Sequence, residues 1–280
     1  MIRIGIIGAE SKHSEFFASL LNSGEFPDIC CSGICYNDCP ERADYVQKYS
    51  GINIFFDSEK SLIMESDAVM ICYRDGEKHM ESALMCAAAG KPFFVDKPFS
   101  ITAADAEKII KASTDAGIPM MGGSTLAFDP QIYLAQQAIP KAFGLWISYA
   151  ADPCGAYHGY HFYGSHLTDI LLSLISRLPL SIRAMNNSGA VAAVLNYPNG
   201  FQTVLQSNPN FTVPAITVLS AKGSESFHLN DKTCYANGLT AFINMIKSGK
   251  PPVPYEKYIL SVRCVNAIIE SMNSEKTIFF

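Results

Sequence analysis

The chain has 280 residues, of which 49% are hydrophobic and 17% charged, and its formal net charge is -5. This length predicts about two domains, each able to bury a core, and the acidic balance argues against nucleic acid as a partner. We find no apolar run near the ~20 residues of a membrane span and no signal-peptide pattern, so we expect no membrane association. The nine cysteines are scattered, which favours a reducing, cytoplasmic location over a disulfide framework.

The first part of the chain alternates short apolar runs with helical patterns. Predicted strands cover residues 2–7, 29–36, 68–73, 92–95 and 118–121. Predicted helices run from Ser14 as N-cap to Gly24, from about Pro40, over 77–89, and from a capping box at Thr102 to Gly117. Strands that alternate with helices of this length predict right-handed βαβ units and a parallel sheet. We assign this α/β domain to residues 1–123.

Residues 124–280 show a different pattern and form the predicted second domain. We expect a helix up to about Ala138, a strand over 145–151, a loop rich in histidine and a helix over 167–175. Several longer strands between residues 182 and 229 are separated by short turn signals, which indicate antiparallel pairing. With two more helices, over 239–247 and 258–272, this domain is predicted to be α+β.

The loop after the first strand, Gly8-Ala9-Glu10-Ser11-Lys12-His13, is a candidate phosphate-binding loop. It lies where a parallel sheet presents helix N-termini to anions. The G-x-G-x-x-G fingerprint is incomplete, because Glu10 holds the second glycine position and His13 the third. A carboxylate ~4 Å from a phosphate costs about 1 kcal/mol in water and about 4 kcal/mol at a dielectric of ~20, which Ser11 and Lys12 can offset. A plain strand-to-helix turn without a ligand is the alternative.

The end of the second strand is expected to supply a group for the ribose hydroxyls of a dinucleotide. The candidates are Asn37 and Asp38, although Asp38 also fits a turn residue before a helix. Arg42 could meet a 2′-phosphate, so the choice between NAD and NADP stays open.

The segment from Asp67 to Pro98 closely resembles the glucose-fructose oxidoreductase / inositol dehydrogenase family (Gfo/Idh/MocA). In that family a helix ending in A-G-K is followed by a strand and an E-K-P motif, which here reads Asp96-Lys97-Pro98. The likeness continues through residues 100–107, 117–119 and 128–130. It returns at Gly164–Asp169, similar to the family's D-x-G-x-H-x-x-D, and at Phe242–Pro252.

This resemblance implies an N-terminal Rossmann domain that holds NAD or NADP, and a C-terminal α+β domain with an open, mainly antiparallel sheet. The implied reaction moves a hydride between nicotinamide and a hydroxyl or carbonyl carbon of a sugar, polyol or related small molecule. Lys97 would stabilise the alkoxide that forms as the hydride leaves. His166 would take the hydroxyl proton, and Asp169, about one helical turn away, would face the same cleft.

The resemblance also implies a set of cofactor contacts at the strand ends. His79 matches the histidine that follows the family's T-P loop, close to the nicotinamide. The full set of expected cofactor-binding residues is Gly8, Glu10, Ser11, Asn37, Asp38, Arg42, Tyr73, Arg74, His79, Asp96 and Lys97.

The sequence departs from the family pattern at positions that face the expected ligands. Phe162 stands where the family has the first Asp of D-x-G-x-H, so a carboxylate that would assist the base is missing. Arg74-Asp75 replaces T-P and Ala127-Phe128 replaces R-F, in addition to Glu10 and Asn37. A divergent substrate is one interpretation, and a non-catalytic or regulatory paralogue that binds a small molecule is the alternative.

Aromatic and imidazole side chains are dense between residues 157 and 166. Tyr160, His161 and Tyr163 are candidate substrate contacts beside His166 and Asp169, with a purely structural role as the alternative. The histidines lack a helical H-E-x-x-H pattern, and Cys30, Cys31, Cys35 and Cys39 lie along and after one strand with side chains on opposite faces. We therefore predict no metal site and expect these cysteines to be buried.

The strands between residues 182 and 229 suggest one sheet face that no helix covers. A symmetric partner would cover it most simply, so a homodimer or homotetramer is expected.

Overall fold

The computed structural model describes residues 1–36, 39–230 and 232–280. The first elements are β1 (Ile2–Ile7), α1 (Lys12–Asn22), β2 (Ile29–Cys35), α2 (Ala43–Ser50), β3 (Phe55–Phe56), α3 (Glu59–Glu65), β4 (Ala68–Ile71), α4 (His79–Ala88), β5 (Phe93–Val95), α5 (Ala103–Ala116) and β6 (Met120–Gly122). They are followed by α6 (Pro130–Ala138), β7 (Ala142–Tyr149), α7 (Tyr160–Leu174), β8 (Ser181–Asn187), β9 (Ala190–Asn196), β10 (Gln202–Ser207), β11 (Ala215–Ser220), β12 (Gly223–His228), α8 (Cys234–Ser248), α9 (Glu256–Ser274) and β13 (Ile278–Phe279).

The first sheet has six strands in the order β3-β2-β1-β4-β5-β6, and every pair is parallel. Helices α1 and α3 pack on β1 and β2, whereas α4 packs on β4 and β5. This strand order is that of the dinucleotide-binding doubly wound sheet, in which ligands bind beyond the carboxyl ends of the strands. The predicted Rossmann fold is confirmed.

The chain divides into two compact units that do not follow chain order throughout. The first contains 1–100, 104–123 and 235–255, and the second contains 101–103, 124–234 and 256–280. Helix α8 belongs to the first unit because its Phe242 packs edge-on against Phe94 of β5, and both rings are fully buried. The division at residue 123 stays a prediction for the functional domains.

The second unit is built on a seven-stranded sheet in the order β12-β11-β7-β10-β9-β8-β13. The pairing is antiparallel except between β7 and β10, which run parallel. Helices α7 and α9 pack against each other, α7 on β7 and α9 on β8, while α6 packs near β11 and β12. The predicted open, mainly antiparallel sheet is confirmed.

The structure corrects several predicted helix boundaries. Helix α1 begins at Lys12, and its N-cap is Ser11, whose hydroxyl accepts the His13 N–H, rather than Ser14. Ser14 instead donates from inside the helix to the Gly8 carbonyl at 2.5 Å. Helix α7 begins at Tyr160, seven residues before the predicted start at Leu167, so much of the expected histidine-rich loop is helical.

Three short elements were not predicted, namely β3, α3 and β13. Two of them are strands of only two residues, too short to show an alternating pattern. Among the described residues no helix is long and apolar enough to cross a membrane.

We predict that Phe242→Ala destabilises the first unit, although residue 242 lies far along the chain from β5. Removing a fully buried aromatic ring costs about 3–5 kcal/mol, since it loses transfer free energy and leaves a cavity. Denaturant unfolding measures this change, and Phe279→Ala, at a position 76% exposed, is the matched control with little expected effect. Equal stabilities of the two variants would contradict the packing of α8 on β5.

Candidate functional site

The carboxyl ends of β1, β4 and β5 meet at one edge of the first sheet, and two backbones approach closely there at Gly8. Gly8 has a φ of +94°, and a Cβ at this position would lie 2.7 Å from the Tyr73 backbone nitrogen. Only glycine combines this left-handed conformation with so close an approach of two backbones. The first glycine of the fingerprint therefore keeps its structural role.

Glu10, at the second glycine position, is bonded within the first unit. Its Oε1 accepts the backbone N–H of Arg74 at 3.1 Å, in the loop after β4. This hydrogen bond ties two expected cofactor loops together and offsets part of the charge that Glu10 introduces. Glu10 thus contacts the backbone of the loop in which Arg74-Asp75 stands in place of T-P.

His13, at the third glycine position, contacts the acid of the Asp96-Lys97-Pro98 motif. Its Nδ1 lies 2.5 Å from Oδ2 of Asp96, and the Asp96 side chain is 2% exposed. Burial opposes ionisation of Asp96, but the adjacent His13 ring and the Lys97 ammonium hold the pKa of this carboxyl below its ordinary value. Asp96 is therefore a buried anion at the carboxyl end of β5.

Lys97 follows Asp96 directly and is itself buried, with 2% of its surface exposed. Burial lowers the pKa of its ammonium to about 8, the negative charge of Asp96 opposes this shift, and Arg74 adds to it. At neutral pH the ammonium is still mostly protonated, but its pKa lies only about one unit higher. This places a cation with a strongly perturbed pKa where the family motif predicts the catalytic lysine.

His79 is fully buried and holds two loops of the first unit together. Its Nδ1 lies 2.8 Å from the Pro98 carbonyl oxygen, and its Nε2 lies 2.9 Å from that of Tyr73. Burial lowers the pKa of His79, which favours a neutral ring that can donate only one of these bonds. The surroundings of His79 are thus backbone atoms of the β4 and β5 loops.

Two further expected cofactor residues are engaged with other side chains. The Tyr73 hydroxyl donates to Glu59 at 2.7 Å, and Arg42 forms an ion pair with the buried Glu15 of α1. The predicted ribose contacts Asn37 and Asp38 lie outside the described residues. The ion pair between Arg42 and Glu15 was not predictable from sequence spacing, because the two residues lie on different elements.

The first unit offers the groups that a dinucleotide needs. Gly8 allows the β1 loop to approach the β4 loop closely, and the Ser11-capped start of α1 presents N–H groups with the positive end of the helix dipole. The buried Oδ1 of Asp96 lacks a hydrogen bond of ordinary geometry among the described residues, so it can accept one from a ligand hydroxyl. The residues present therefore fit a nicotinamide dinucleotide.

In the second unit, His166 is the centre of a buried polar network. Its Nδ1 lies 2.6 Å from the Ser124 hydroxyl oxygen, and the Ser124 backbone N–H donates to Oδ2 of Asp169 at 2.6 Å. The Ser261 hydroxyl donates to Oδ1 of Asp169 at 2.5 Å. His166 and Asp169 are thus brought together through Ser124, a residue that no motif in the sequence indicated.

The three aromatic and imidazole candidates beside His166 have different surroundings. Tyr163 packs near the His166 ring, with centroids 5.3 Å apart, whereas His161 bonds through Nε2 to Asn266 at 2.9 Å. Tyr160 is 1% exposed and fills the space left by Gly164, where a Cβ would lie 2.4 Å from the ring. Burial raises the pKa of Tyr160 to about 12. These contacts favour a structural role for Tyr160 and leave Tyr163 as the neighbour of the predicted base.

The four cysteines along and after the second strand are less buried than expected. Cys35 is buried, whereas Cys30, Cys31 and Cys39 are half-buried. The prediction of burial was wrong for these three, and Cys39 lies beyond the end of β2 at Cys35.

Comparison with known proteins identifies the first unit. Residues 2–123 match the model of the Gfo/Idh/MocA family, an oxidoreductase family with an NAD-binding Rossmann fold. A 4-carboxy-2-hydroxymuconate-6-semialdehyde dehydrogenase from Sphingobium sp. (strain NBRC 103272 / SYK-6) is 36% identical over 88 residues, which are 31% of this chain and 27% of that protein. The inositol 2-dehydrogenase of Paracoccus denitrificans (strain Pd 1222) is 34% identical over 92 residues, or 32% and 27% of the two chains.

The match thus spans about a quarter of the length of these curated relatives. Among solved structures, apo scyllo-inositol dehydrogenase from Lactobacillus casei superposes with a TM-score of 0.85 at 14% identity, over 100% of this chain and 98% of that one. At this identity the likeness establishes the shared fold of the whole chain. The family resemblance predicted from the sequence is confirmed for residues 2–123.

We predict that Lys97 makes stability depend on pH in a defined interval. Because its pKa is lowered on folding, the unfolded chain binds more protons between about pH 8 and 10.5, so stability rises with pH there. Relative to Lys97→Met, the wild type should gain roughly 3 kcal/mol across this interval. Denaturant unfolding at several pH values measures the difference. Lys108→Met, at an exposed position, should keep the wild-type slope, and a Lys97→Met slope equal to wild type would contradict the prediction.

Proposed function

We propose that the chain is an NAD(P)-dependent oxidoreductase, because its residues 2–123 match the model of the Gfo/Idh/MocA oxidoreductase family. It transfers a hydride between nicotinamide and a hydroxyl or carbonyl carbon of a sugar, polyol or related small molecule. The observation that carries the proposal is the buried Lys97 ammonium at the end of β5, beside the buried Asp96. The inositol dehydrogenase among the relatives supports a polyol as substrate class.

Each catalytic side chain has a role that its surroundings support. When bound, the nicotinamide supplies the hydride acceptor or donor. Lys97 stabilises the negative charge that develops on the substrate oxygen, and a buried cation does this more strongly than a solvated one. His166 accepts the hydroxyl proton in the oxidation and returns it in the reduction. Asp96 and His13 act on Lys97, because the buried carboxylate favours its charged form.

NAD is the better fit of the two cofactors. Arg42 was expected to meet a 2′-phosphate, but its guanidinium forms an ion pair with the buried Glu15. A 2′-phosphate would have to compete with that carboxylate for Arg42 and would lie close to a like charge, which is unfavourable. A cytoplasmic location stays a prediction.

The proposed oligomer rests on the outer face of the second sheet. One row of neighbouring residues runs across its central strands as Thr217, Trp146, Val204 and Val194. Trp146 is 46% exposed, while the residues that alternate with it along β7, Leu145 and Ile147, are buried. A broad exposed face with an aromatic residue at its centre is typical of a homo-oligomer interface.

We predict that the protein binds NADH and loses turnover on Lys97→Ala. NADH should raise the thermal midpoint or enhance its own fluorescence on binding, and NADPH should do so more weakly. A substrate is sought by assaying a panel of sugars and polyols, including inositol, for turnover with NAD⁺. Lys97→Ala should lower kcat at least about 10²-fold, since an electrostatic contact to the developing oxyanion is lost, whereas Lys108→Ala should not.

Two results would contradict this proposal. The first is the absence of any effect of either dinucleotide at millimolar concentration, which would favour the non-catalytic paralogue. The second is retained turnover in Lys97→Ala, which would remove Lys97 from the reaction.

We further predict that Trp146→Glu dissociates the oligomer, because a buried, unpaired charge at an interface centre is strongly unfavourable. Light scattering should give a multiple of the 30.6 kDa chain mass for the wild type and a smaller multiple for the variant. Tyr133→Glu, on the exposed surface of α6, is the control that should keep the wild-type mass. A monomeric wild type would contradict the predicted homodimer or homotetramer.

A further inference from the structure

The residue that touches the ring of His166 on its Nδ1 side is Ser124. Its hydroxyl oxygen lies 2.6 Å from that nitrogen, and Ser124 is 1% exposed. The same oxygen accepts the Leu126 N–H at 3.2 Å, so the hydroxyl is held from a second direction. The hydrogen bond from the Leu126 N–H thus fixes the Ser124 side chain independently of its contact with the imidazole.

The backbone of Ser124 is fixed as well. Its N–H donates to Oδ2 of Asp169, while Oδ1 of Asp169 accepts from Ser261 of α9, which also contacts Thr168. Both oxygens of this carboxylate therefore hold groups that surround His166. Asp169 is linked to His166 through the backbone of Ser124.

We propose that Ser124 is a positioning residue for His166 and does in this chain what the missing carboxylate at position 162 would do. This inference rests on the proposed function for its meaning in catalysis, but its geometry lies within the second unit alone. A hydroxyl on Nδ1 orients the ring and accepts the Nδ1 proton of the imidazolium. Nε2 is then the nitrogen that exchanges a proton with substrate.

A hydroxyl differs from a carboxylate in one chemical respect. A carboxylate only accepts hydrogen bonds, so it fixes the Nδ1–H tautomer, whereas a serine hydroxyl can also donate to Nδ1. The hydrogen bond to the charged ring is the stronger of the two, so Ser124 stabilises the imidazolium. Its loss should make His166 easier to deprotonate.

Two aromatic rings of the second unit also lie beside the His166 ring. The rings of Tyr149 and Tyr163 lie 5.5 Å and 5.3 Å from His166, measured between centroids. Tyr149 is on β7 and Tyr163 is on α7, and Asp169 is the nearby carboxylate of the network. A substitution at Ser124 keeps these three side chains. A change in the His166 signals can therefore be assigned to the loss of the Ser124 hydroxyl.

The test is a pH titration of the full chain, labelled with ¹⁵N and observed by NMR at the imidazole nitrogens. The His166→Gln spectrum identifies the His166 signals by their loss. We expect Ser124→Ala to change the Nδ1 chemical shift of His166 and to lower its titration midpoint by about half a pH unit or more. Ser124→Thr keeps the hydroxyl and should restore both values.

Ser165→Ala is the matched control. Ser165 is the neighbour of His166 on α7 and is buried, but its hydroxyl bonds to the Phe162 carbonyl at 3.3 Å. If the two buried serines only support the packing, Ser124→Ala and Ser165→Ala should change the His166 signals alike. If Ser124 positions the ring, only Ser124→Ala should change them. If Ser124→Ala does not fold, Ser124→Cys keeps the side-chain volume with a weak hydrogen-bonding group and should show the same direction of change.

Unchanged His166 signals in Ser124→Ala or Ser124→Cys would overturn the inference, as would equal changes in Ser165→Ala. These outcomes do not depend on turnover, so a failure here is distinct from a failure to bind NADH. With an active substrate, Ser124→Ala should lower kcat about tenfold or more and shift the lower limb of its pH profile, while the affinity for NADH stays unchanged.

Discussion

The buried carboxylate of Asp96 is the group on which the rest of the first unit's site depends. An isolated buried charge is expensive and would become neutral, but here His13 contacts one oxygen and Lys97 follows directly in the chain. The arrangement keeps an anion beside an ammonium whose pKa burial has lowered to about 8. Without Asp96 the same burial would move Lys97 further toward its neutral form, and a neutral amine cannot stabilise an alkoxide by charge.

The unusual residues of the phosphate-binding loop have partners within the same unit. Glu10 replaces a glycine and accepts the Arg74 N–H, and His13 replaces another and contacts Asp96. Substitutions that had simply accumulated after loss of function would leave such polar groups to solvent or unsatisfied, at a cost of about 1–3 kcal/mol each when buried. Here the Glu10 side chain links the β1 loop to the β4 loop, and the His13 side chain links the start of α1 to the end of β5. This favours a divergent but intact cofactor site.

The sequence predicted the parts of the fold that depend on local pattern and missed those that depend on distant contacts. The strands β1 and β4 were predictable because they are mainly apolar runs, of which residues 4–7 and the whole of β4 are buried. The start of α7 was missed because Tyr157, His158 and Gly159 adopt left-handed conformations that end the preceding loop, and non-glycine residues rarely do so. The pairs His13 with Asp96 and Ser124 with His166 join residues 83 and 42 positions apart. No spacing rule within one element can indicate such pairs.

In the second unit, as in the first, a neighbouring polar group holds the proposed reactive side chain in place. A proton-transfer imidazole needs a fixed orientation, which a hydrogen-bonded partner on its second nitrogen provides. Phe162 cannot serve, yet the buried face of α7 still carries His166 and Asp169 one turn apart, and Ser124 completes the contact from a separate segment. A hydroxyl accepts the Nδ1 proton of the neutral Nδ1–H ring and of the imidazolium alike, so proton exchange at Nε2 leaves this hydrogen bond in place. The absence of a carboxylate at position 162 is therefore compatible with proton transfer in both directions.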